Sequence, residues 1–532
     1  MFDLVIKNAT IVDGTLSPSY EADLAVAGQQ IAAIGPLDDS DAPVIIDAKG
    51  CVVTPGFIDM HSHADFSLPI LPTSDSLLHQ GITTLVVGQC GLSPAPLLKE
   101  NREQAIASLA GFFSDFSNSL PWNEWSSFED FLAYLSRNGI SPNILPLVGQ
   151  GTIRTAVMGF ERGRANADQM ARMKIELVKA MDQGAIGLST GLIYPPGSFT
   201  LIEELIELTR EVGGRNGFYF SHIRGEGDTL LEAVAEAIQI GRQTGASVQI
   251  SHFKAAHKRN WEKSQQALEL ISRARSEGLD VTADLYPYSA GSTSLATLLP
   301  EWAHVGGPES TLKRLADPKI RRKMEEEMTS GGFAFGIEWQ DVLITSSPYN
   351  RKNEGRRVSE LSLEAGKSPH EWIFEALLEN EMRISMALFG MSEENRCREM
   401  KFPVMMFGTD GDGRAASGPM SKGVPHPRNY GAFPRVLGRF VRDLKVIKLE
   451  EAIYKMTKLP AQKMRLNDRG QIGKGMAADL VIFDPATISD RATYEKPHRY
   501  AKGIFHVIVN GKLVIHNACH TGARPGRILH NS

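Results

Sequence analysis

The residue types best suited to chemistry in this 532-residue sequence are six imidazole, thiol and carboxylate side chains. Each follows a short apolar run, and in chain order they are His61, His63, Cys90, His222, His252 and Asp410. Imidazole nitrogens, thiolates and carboxylates are the ligands that zinc takes in proteins. Together they predict a metal site with zinc as the favoured ion.

The spacing of these residues supports a shared site. His61 and His63 stand at i and i+2 of the run TPGFIDMHSH, so their side chains point to the same face of a strand. A single histidine is more often structural, and Cys90 alone is typical of a small buried hydrophobe. The joint pattern favours the metal, because six candidate ligands end five different apolar runs. Asp412 in GTDGDG is the rival of Asp410 for the carboxylate role.

Eight short apolar segments, alternating with helical stretches, must hold these ligands. They are FIDMHSH, GITTLVVG, NILPLVG, GAIGLST, GFYFSH, SVQISH, DVTADLY and PVMMFGTD. Met170, Met173 and Leu177 recur at helical spacing, and further helices are predicted over 229–243 and 262–277. Eight strand and helix units predict an α/β fold of the (β/α)8 type. Such a barrel builds its active site at the carboxyl ends of its strands, where the six candidate ligands fall.

The two ends of the chain have a different texture from its middle. Residues 1–55 and 466–532 carry short alternating segments separated by Gly, Asp and Pro turns. Asn510-Gly511, between two β-rich runs, predicts a two-residue hairpin. Chain termini often lie close together, so the two ends are predicted to share one small β domain.

Between these ends, the barrel is predicted to occupy 56–288 and 351–465. The stretch 289–350 breaks its rhythm with a charged helix (DPKIRRKMEEEM) and a separate strand (DVLITS). This stretch is therefore predicted to be an inserted subdomain that precedes the last barrel strand.

Composition excludes several classes of function. Lys and Arg number 57 against 62 Asp and Glu, a formal charge of −5, which does not suggest nucleic acid as a partner. Neither a signal peptide nor an apolar run of about 18 residues is visible, so no membrane association is expected. Four scattered cysteines do not make a disulfide framework. The expectation is a cytoplasmic protein with a small-molecule substrate and an open oligomeric state.

Longer motifs around the ligands resemble a known family. Strand-end HxH, His, His and Asp in this order are similar to the amidohydrolase superfamily. Within it, five motifs closely resemble the N-acyl-D-amino-acid deacylases (D-aminoacylases), and the resemblance covers essentially the whole chain. These motifs are GQCG at 88–91, SHIRGE at 221–226, SHFK at 251–254, YPYSAGST at 286–293 and HPRNYGAFPRVLG at 426–438.

The resemblance implies zinc-dependent hydrolysis of N-acyl-D-amino acids to a carboxylate and a free D-amino acid. It also implies a tightly held zinc, with Cys90, His222 and His252 as its ligands. A weaker second site has His61, His63 and Asp410 as its ligands, and cobalt or manganese are alternatives to zinc there. Cys90 takes the bridging place of the carboxylated lysine found in wider relatives. Two positions depart from the family pattern: Gln150 stands where His is common, and Gln89 where Asn is common.

Zinc would lower the pKa of a bound water toward about 7 and polarise the amide carbonyl. Asp410 is the expected acid and base, which takes the water proton and passes it to the departing amine nitrogen. The substrate's α-carboxylate suits a planar guanidinium, which by resemblance is that of Arg428. Lys254, Tyr194 and Tyr286 are further candidates for binding the substrate.

Two weaker assignments complete the predicted site. Tyr288 is an alternative to Tyr286, and Arg224 is either a substrate contact or a residue that orients the metal site. The preference for the D series is implied by the resemblance alone. A pocket for D-Asp or D-Glu would need an extra cation, and the sequence singles out no residue for that role. A broad or hydrophobic preference for the D side chain is therefore expected.

Three alternatives stay open at this point. A cyclic-amide hydrolase of the hydantoinase or dihydroorotase kind shares the barrel and HxH, but it does not account for Cys90 or the HPR motif at 426–428. A phosphotriesterase or lactonase would use the same ligands without a carboxylate clamp. A non-catalytic scaffold would keep the fold, yet all six ligands are present.

Overall fold

The structure is a computed structural model that describes residues 2–38 and 42–530. Residues 1, 39–41 and 531–532 of the predicted β domain lie outside the described residues.

The strands are β1 (Leu4–Ile11), β2 (Tyr20–Ala27), β3 (Gln30–Ile34), β4 (Ile45–Asp47), β5 (Val52–Pro55), β6 (Phe57–Asp59), β7 (Ile82–Val87), β8 (Asn143–Pro146), β9 (Val148–Gly149), β10 (Gly187–Gly191), β11 (Phe218–His222), β12 (Ser247–Ile250), β13 (Val281–Leu285), β14 (Ala290–Ser294), β15 (Val342–Ser346), β16 (Ser385–Phe389), β17 (Met405–Phe407), β18 (Leu480–Phe483), β19 (Ile504–Val509), β20 (Lys512–His516) and β21 (Cys519–His520). The α-helices are α1 (Ala64–Ser67), α2 (Asp75–Leu78), α3 (Arg102–Phe112), α4 (Phe128–Asn138), α5 (Gln150–Met158), α6 (Ala167–Asp182), α7 (Ile202–Gly213), α8 (Leu230–Thr244), α9 (Lys263–Ser276), α10 (Gly307–Ala316), α11 (Pro318–Ser330), α12 (Val358–Glu364), α13 (Pro369–Glu379), α14 (Glu393–Met400), α15 (Arg428–Arg435), α16 (Leu449–Met456) and α17 (Lys458–Lys463).

Eight parallel strand positions form a barrel. Strands β6, β7 and β8 are neighbours in one sheet, and β9, β10, β11, β12, β13 and β17 are neighbours in the next. Strands β8 and β9 are two parts of the third barrel strand, divided at Leu147. The barrel closes between its first and last strands, where Met60 N–H donates to Phe407 O at 3.2 Å and Ser62 pairs with Gly411. The predicted (β/α)8 barrel is confirmed.

The helices that cover the barrel follow from local sequence signals. Helix α6 begins with a capping box, in which Asn166 and Gln169 each accept a backbone N–H of the other at 2.9 Å. Its apolar stripe is buried, as the spacing predicts, at Met170, Met173 and Leu177. The helices predicted over 229–243 and 262–277 are α8 and α9.

A single sheet of nine strands unites the two chain ends. The N-terminal strand β5 pairs antiparallel with the C-terminal strand β18, with Val53 opposite Ile482. The β domain formed by this sheet has its own hydrophobic core, which includes Leu4, Ile6 and Leu480. The hairpin predicted at Asn510-Gly511 joins β19 to β20, and both residues have positive φ, 46° and 78°. The shared β domain therefore forms as the turn chemistry suggests.

The inserted subdomain has its own sheet and core. Strands β14, β16 and β15 lie side by side, and a separate apolar cluster includes Leu295, Ile344 and Met386. The sheet runs to Phe389, past the predicted end at residue 350. The difference has a physical reason: α12, α13 and β16 continue the alternation of helix and strand that is typical of a barrel. The alternation of helix and strand in the sequence does not by itself distinguish the inserted subdomain from the barrel.

Two further observations concern the environment of the chain. The four cysteines, Cys51, Cys90, Cys397 and Cys519, are all free thiols, and Cys90 is the buried one. In the described part of the chain, no helix is long and apolar enough to cross a membrane.

Candidate metal centre

The barrel brings all six predicted ligands to the carboxyl ends of its strands. His61 and His63 follow β6, Cys90 follows β7, and Asp410 follows β17. His222 ends β11, and His252 follows β12. Three of the six adopt positive φ, which non-glycine residues rarely do: Cys90 at 55°, His252 at 36° and Asp410 at 51°. Such conformations cost about 1–3 kcal/mol each and persist where surrounding structure enforces them, as at functional sites.

Cys90 lies at the centre of the cluster. Its Sγ is 3.3 Å from His61 Nε2, 3.6 Å from His222 Nδ1 and 3.4 Å from His252 Nε2. A Cβ on Gly191 would lie 2.0 Å from the carbonyl oxygen of Cys90, so only glycine there allows β10 to approach this closely. We call Cys90, His222 and His252 the cysteine group.

A second set of donors shares the same sulfur. Asp410 Oδ1 lies 3.5 Å from His61 Nε2 and 3.3 Å from His63 Nε2. We call His61, His63, Cys90 and Asp410 the aspartate group. The donor atoms within each group all lie within 4.8 Å of one another. Cys90 belongs to both groups and could bridge two ions.

The donor atoms fit a tetrahedral metal ion. Zinc bonds of 2.3 Å to sulfur and 2.0–2.1 Å to nitrogen place neighbouring ligands about 3.6 Å apart, close to the separations around Cys90. Burial lowers the pKa of His61 and of His222 well below its usual value, which keeps both imidazoles neutral and able to coordinate. Burial also raises the pKa of the Cys90 thiol, so a thiolate there needs a cation beside it. The donor chemistry and spacing therefore suit zinc.

A carboxylate that the sequence did not single out lies behind the cysteine group. Glu226 Oε1 is 2.9 Å from His252 Nδ1 and 3.8 Å from His222 Nε2, the ring nitrogens that face away from Cys90. Lys254 Nζ donates to the same oxygen at 2.5 Å. Burial opposes the ionisation of Glu226, but Lys254 and the two histidines outweigh it and lower the pKa of this carboxyl. The only sequence signal was its place in the motif SHIRGE.

Two more buried carboxylates, Asp59 and Asp284, hold the backbone around the ligands. Asp59 accepts the N–H groups of His61 at 3.0 Å and of Thr409 at 2.9 Å, and so joins the first strand to the last. Asp284 accepts the N–H of His252 at 2.8 Å and lies 3.6 Å from His61 Nδ1. Burial raises the pKa of each to about 7. Asp59 ends β6 and Asp284 is the penultimate residue of β13, and at such positions sequence alone does not separate a supporting carboxylate from a catalytic one.

Asp410 is held by a cation. Arg428 Nη1 donates to Asp410 Oδ2 at 2.7 Å, and the guanidinium lies 5.0 Å from the ring centre of Tyr286. Burial opposes ionisation of Asp410, but Arg428 and the neighbouring histidines outweigh it and hold the pKa of this carboxyl well below its usual value. The rival Asp412 instead accepts Arg414 Nε at 2.9 Å. Of the two carboxylates, Asp410 is the one that belongs to the candidate metal-binding cluster.

Most of the predicted substrate contacts line one cleft with the metal-binding cluster. The cleft measures about 1290 Å³ counted with its open mouth, and its walls include Tyr194, Lys254, Tyr286 and Arg428. The hydroxyl of Thr293 in β14 donates to the Tyr194 hydroxyl at 3.1 Å, so the inserted subdomain contributes to the same wall.

Four other predicted positions lie elsewhere. Arg224 pairs with Glu236 at 2.9 Å and lines a neighbouring cavity. Tyr288 packs against Arg435, whose guanidinium lies 4.8 Å from its ring centre. The two departures from the family pattern are buried: Gln89 donates to Met60 O at 3.1 Å, and Gln150 donates to Thr200 Oγ1 at 2.9 Å.

Comparison with known proteins agrees with this fold. The family model described as the amidohydrolase family matches residues 44–316 and 338–515, so this chain belongs to the amidohydrolase family. The D-aminoacylase of Alcaligenes xylosoxydans xylosoxydans is 36% identical over 532 aligned residues, which cover 99% of this chain and 97% of the relative.

Two solved structures cover nearly the whole chain. A D-aminoacylase structure described for its binuclear metal center has a TM-score of 0.83 at 36% identity and covers 100% of both chains. An N-acyl-D-glutamate deacylase from Bordetella bronchiseptica, complexed with zinc and a phosphonate inhibitor, has a TM-score of 0.84 at 33% identity and covers 99% of both chains. The predicted resemblance to N-acyl-D-amino-acid deacylases is confirmed.

Proposed function

We propose that this chain hydrolyses the amide bond of N-acyl-D-amino acids, releasing a carboxylate and a free D-amino acid. The observation that carries the proposal is the cluster of Cys90, His222 and His252 in one cleft with Asp410 and Arg428. This cluster provides a metal site, a proton carrier and a cation for an α-carboxylate. Relatives that are named as deacylases of this class match the whole chain.

We assign one tightly bound zinc to the cysteine group and a weaker second metal to the aspartate group. Thiolate and imidazole favour zinc over harder ions, and the carboxylate of Glu226 behind both histidines strengthens the first site. When bound, the metal supplies Lewis acidity at the scissile carbonyl and an activated water. The chain's own residues supply orientation and proton transfer.

Asp410 is the proposed acid and base. Its Oδ2 is occupied by Arg428 at 2.7 Å, which leaves Oδ1, on the side of His61 and His63, to accept the proton of the attacking water. The same atom then delivers the proton to the amide nitrogen as the C–N bond breaks. The water oxygen stays on the acyl carbon, and the amine leaves as the free D-amino acid.

Arg428 is also the proposed clamp for the α-carboxylate. Its guanidinium has five N–H donors, of which Asp410 and Ser292 O accept two, at 2.7 and 3.3 Å. The remaining donors can reach a planar carboxylate in the cleft. Arg428 and Lys254 both lie over the ring of Tyr286, at 5.0 and 5.6 Å from its centre, and Tyr286 completes this wall. Tyr194, on the side of His222, is the proposed hydroxyl contact.

The cyclic-amide alternative is less well supported. Cys90 belongs to both donor groups, and Arg428 offers a linear substrate a carboxylate contact that a hydantoin, which has no carboxylate, does not require. A non-catalytic scaffold would not need three strained ligand positions around one cleft. A cytoplasmic location stays a prediction, which rests on the four scattered cysteines.

The test is amino-acid release from matched D and L N-acetyl derivatives of Leu, Met, Phe, Asp and Glu by zinc-loaded protein. We expect release from the D series and none from the L series. Equal release from both, or hydrolysis of hydantoin or dihydroorotate in place of linear amides, would contradict the proposal.

A further inference from the structure

A second cavity adjoins the cleft at Glu226. It measures about 1500 Å³ counted with its open mouth, and we call it the side chamber. Five residues line both spaces: Ile193, Glu226, Ala256, His257 and Phe333. Among the described residues, the walls of the side chamber include neither the aspartate group nor Arg428. The chamber therefore extends the cleft in one direction only, away from the proposed α-carboxylate clamp.

Part of the wall of the side chamber is apolar, and the rest is polar, including Arg224, Asp228, Arg259, Glu301 and Glu327. Loop residues after β10 form one side, and the inserted subdomain forms the other. Together they contribute Leu192, Ile193, Leu298, Leu299, Met328 and Ala334. The inserted subdomain thus builds a space that the barrel alone would not enclose.

The charged side chains of the side chamber already have polar partners. Glu301 lies 3.8 Å from Arg162, and Glu327 accepts the indole N–H of Trp302 at 2.7 Å. Arg224 Nη2 contacts Glu236 Oε1 at 2.9 Å, and Arg259 Nε contacts Asp228 Oδ1 at 2.8 Å. At the junction with the cleft, Glu226 and Lys254 neutralise each other at 2.5 Å. Because these polar side chains are already satisfied, the apolar part of the wall suits an uncharged apolar group, since a charged one would lose its hydration without gaining a partner.

The order of groups in a linear substrate decides which part reaches this space. With the α-carboxylate on Arg428 and the amide nitrogen at Asp410, the carbonyl lies at the cysteine group. The acyl group then continues beyond His222 and His252, which are the histidines that Glu226 contacts at 3.8 and 2.9 Å. Past Glu226 the open space is the side chamber.

We propose that the side chamber binds the acyl chain, and that this enzyme acts on N-acyl-D-amino acids with long apolar acyl groups in preference to N-acetyl substrates. The inference rests on the proposed function, because it takes its direction from the Arg428 clamp. It assigns the inserted subdomain a role in choosing the acyl group, separate from the metal chemistry of the barrel.

The experiment is a chain-length series of acetyl, butanoyl, hexanoyl and octanoyl D-leucine with zinc-loaded protein. A fully buried methylene is worth a factor of about three to four, so partial burial of six predicts that kcat/KM rises at least about tenfold from acetyl to octanoyl. A flat or falling series overturns the inference while hydrolysis of the acetyl substrate preserves the proposed function. No hydrolysis of any member overturns both.

A variant locates the effect. Gly331 lines the side chamber but not the cleft, its φ is −175°, and an added Cβ would meet no atom within 4 Å. Gly331→Trp should lower the octanoyl-to-acetyl ratio of kcat/KM at least about fivefold. Thr329→Trp, at an exposed position of α11 two residues earlier, is the matched control and should keep the wild-type ratio.

Folding of both variants is checked by thermal unfolding and zinc content. An unchanged ratio in folded Gly331→Trp overturns the assignment of the chamber. The assignment is also overturned if the loss of kcat/KM in Gly331→Trp depends on the size of the D side chain rather than on the length of the acyl chain. N-acetyl-D-alanine and N-acetyl-D-phenylalanine measure the dependence on the D side chain.

Discussion

A carboxylate, that of Glu226, lies behind the cysteine group, whereas a guanidinium cation, that of Arg428, lies behind the aspartate group. Glu226 contacts the outer nitrogen of His252 at 2.9 Å, and Arg428 contacts the outer oxygen of Asp410 at 2.7 Å. A carboxylate behind an imidazole raises its basicity and strengthens its bond to a metal. A guanidinium behind a carboxylate competes with a metal for its charge.

This contrast explains how two donor groups that share one sulfur can differ in use. The cysteine group is supported as a metal holder. The aspartate group keeps a carboxylate that is ionised, oriented and available for proton transfer. Four substitutions test the division, from the largest expected effect to the smallest.

Cys90→Ala removes a donor from both groups. We expect activity on N-acetyl-D-leucine to fall by about 10³-fold or more, together with loss of the tightly bound zinc, because the metal supplies the Lewis acid. Zinc content and kcat/KM are measured on the same sample. Cys397→Ala is the control, and a zinc-replete, active Cys90→Ala enzyme would show that the sulfur is structural.

Asp410→Asn separates proton transfer from metal binding. We expect kcat to fall by about 10²–10⁴-fold while the tightly bound zinc remains, because the amide cannot accept the water proton. Asp412→Asn tests the rival carboxylate in the same loop and should lower kcat less than tenfold by this account. If instead Asp412→Asn were the more damaging change, the roles assigned here would be reversed.

Glu226→Gln weakens the support behind the cysteine group. We expect the dissociation constant for zinc, from chelator competition, to rise by about 10–100-fold. KM at saturating zinc should stay close to that of the wild type. Glu236→Gln is the matched control, since Glu236 pairs with Arg224 outside the cleft. An unchanged zinc affinity in Glu226→Gln would contradict the comparison.

Arg428→Lys gives the complementary result. Lysine keeps the charge but loses the planar pair of donors, so KM for N-acetyl-D-leucine should rise about tenfold without loss of zinc. Arg435→Lys, which changes a residue paired with Asp490 at 2.9 Å, provides the control. A variant that lost zinc with unaltered KM would place Arg428 with the metal rather than with the substrate.

The sequence predicts which strand-end residues share a site, because the last side chains of parallel barrel strands lie at the same end of the barrel. That argument places His222 and Asp410 in one site without coordinates. The same argument does not identify Glu226, because this residue lies in a loop four residues beyond β11, where no periodicity fixes the direction of its side chain. Arg224, in the same loop, was assigned to the site but points to Glu236.

The inserted subdomain shows the same limit at a larger scale. Its first strand, β14, contributes Thr293 to the wall of the cleft, a contact between segments far apart in the chain. Its end was predicted too early because α13 and β16 have the texture of a barrel unit. Pairing of β16 with β14, rather than with the barrel, is a tertiary fact that local patterns do not carry.

The most direct test of the central claim is a zinc titration of the metal-free protein. Bound zinc and release of leucine from N-acetyl-D-leucine and N-acetyl-L-leucine are measured in the same samples. The account predicts no release without metal, D-leucine release that grows as the first equivalent binds, and none from the L substrate. Full activity without metal, or equal release from both enantiomers, would contradict it.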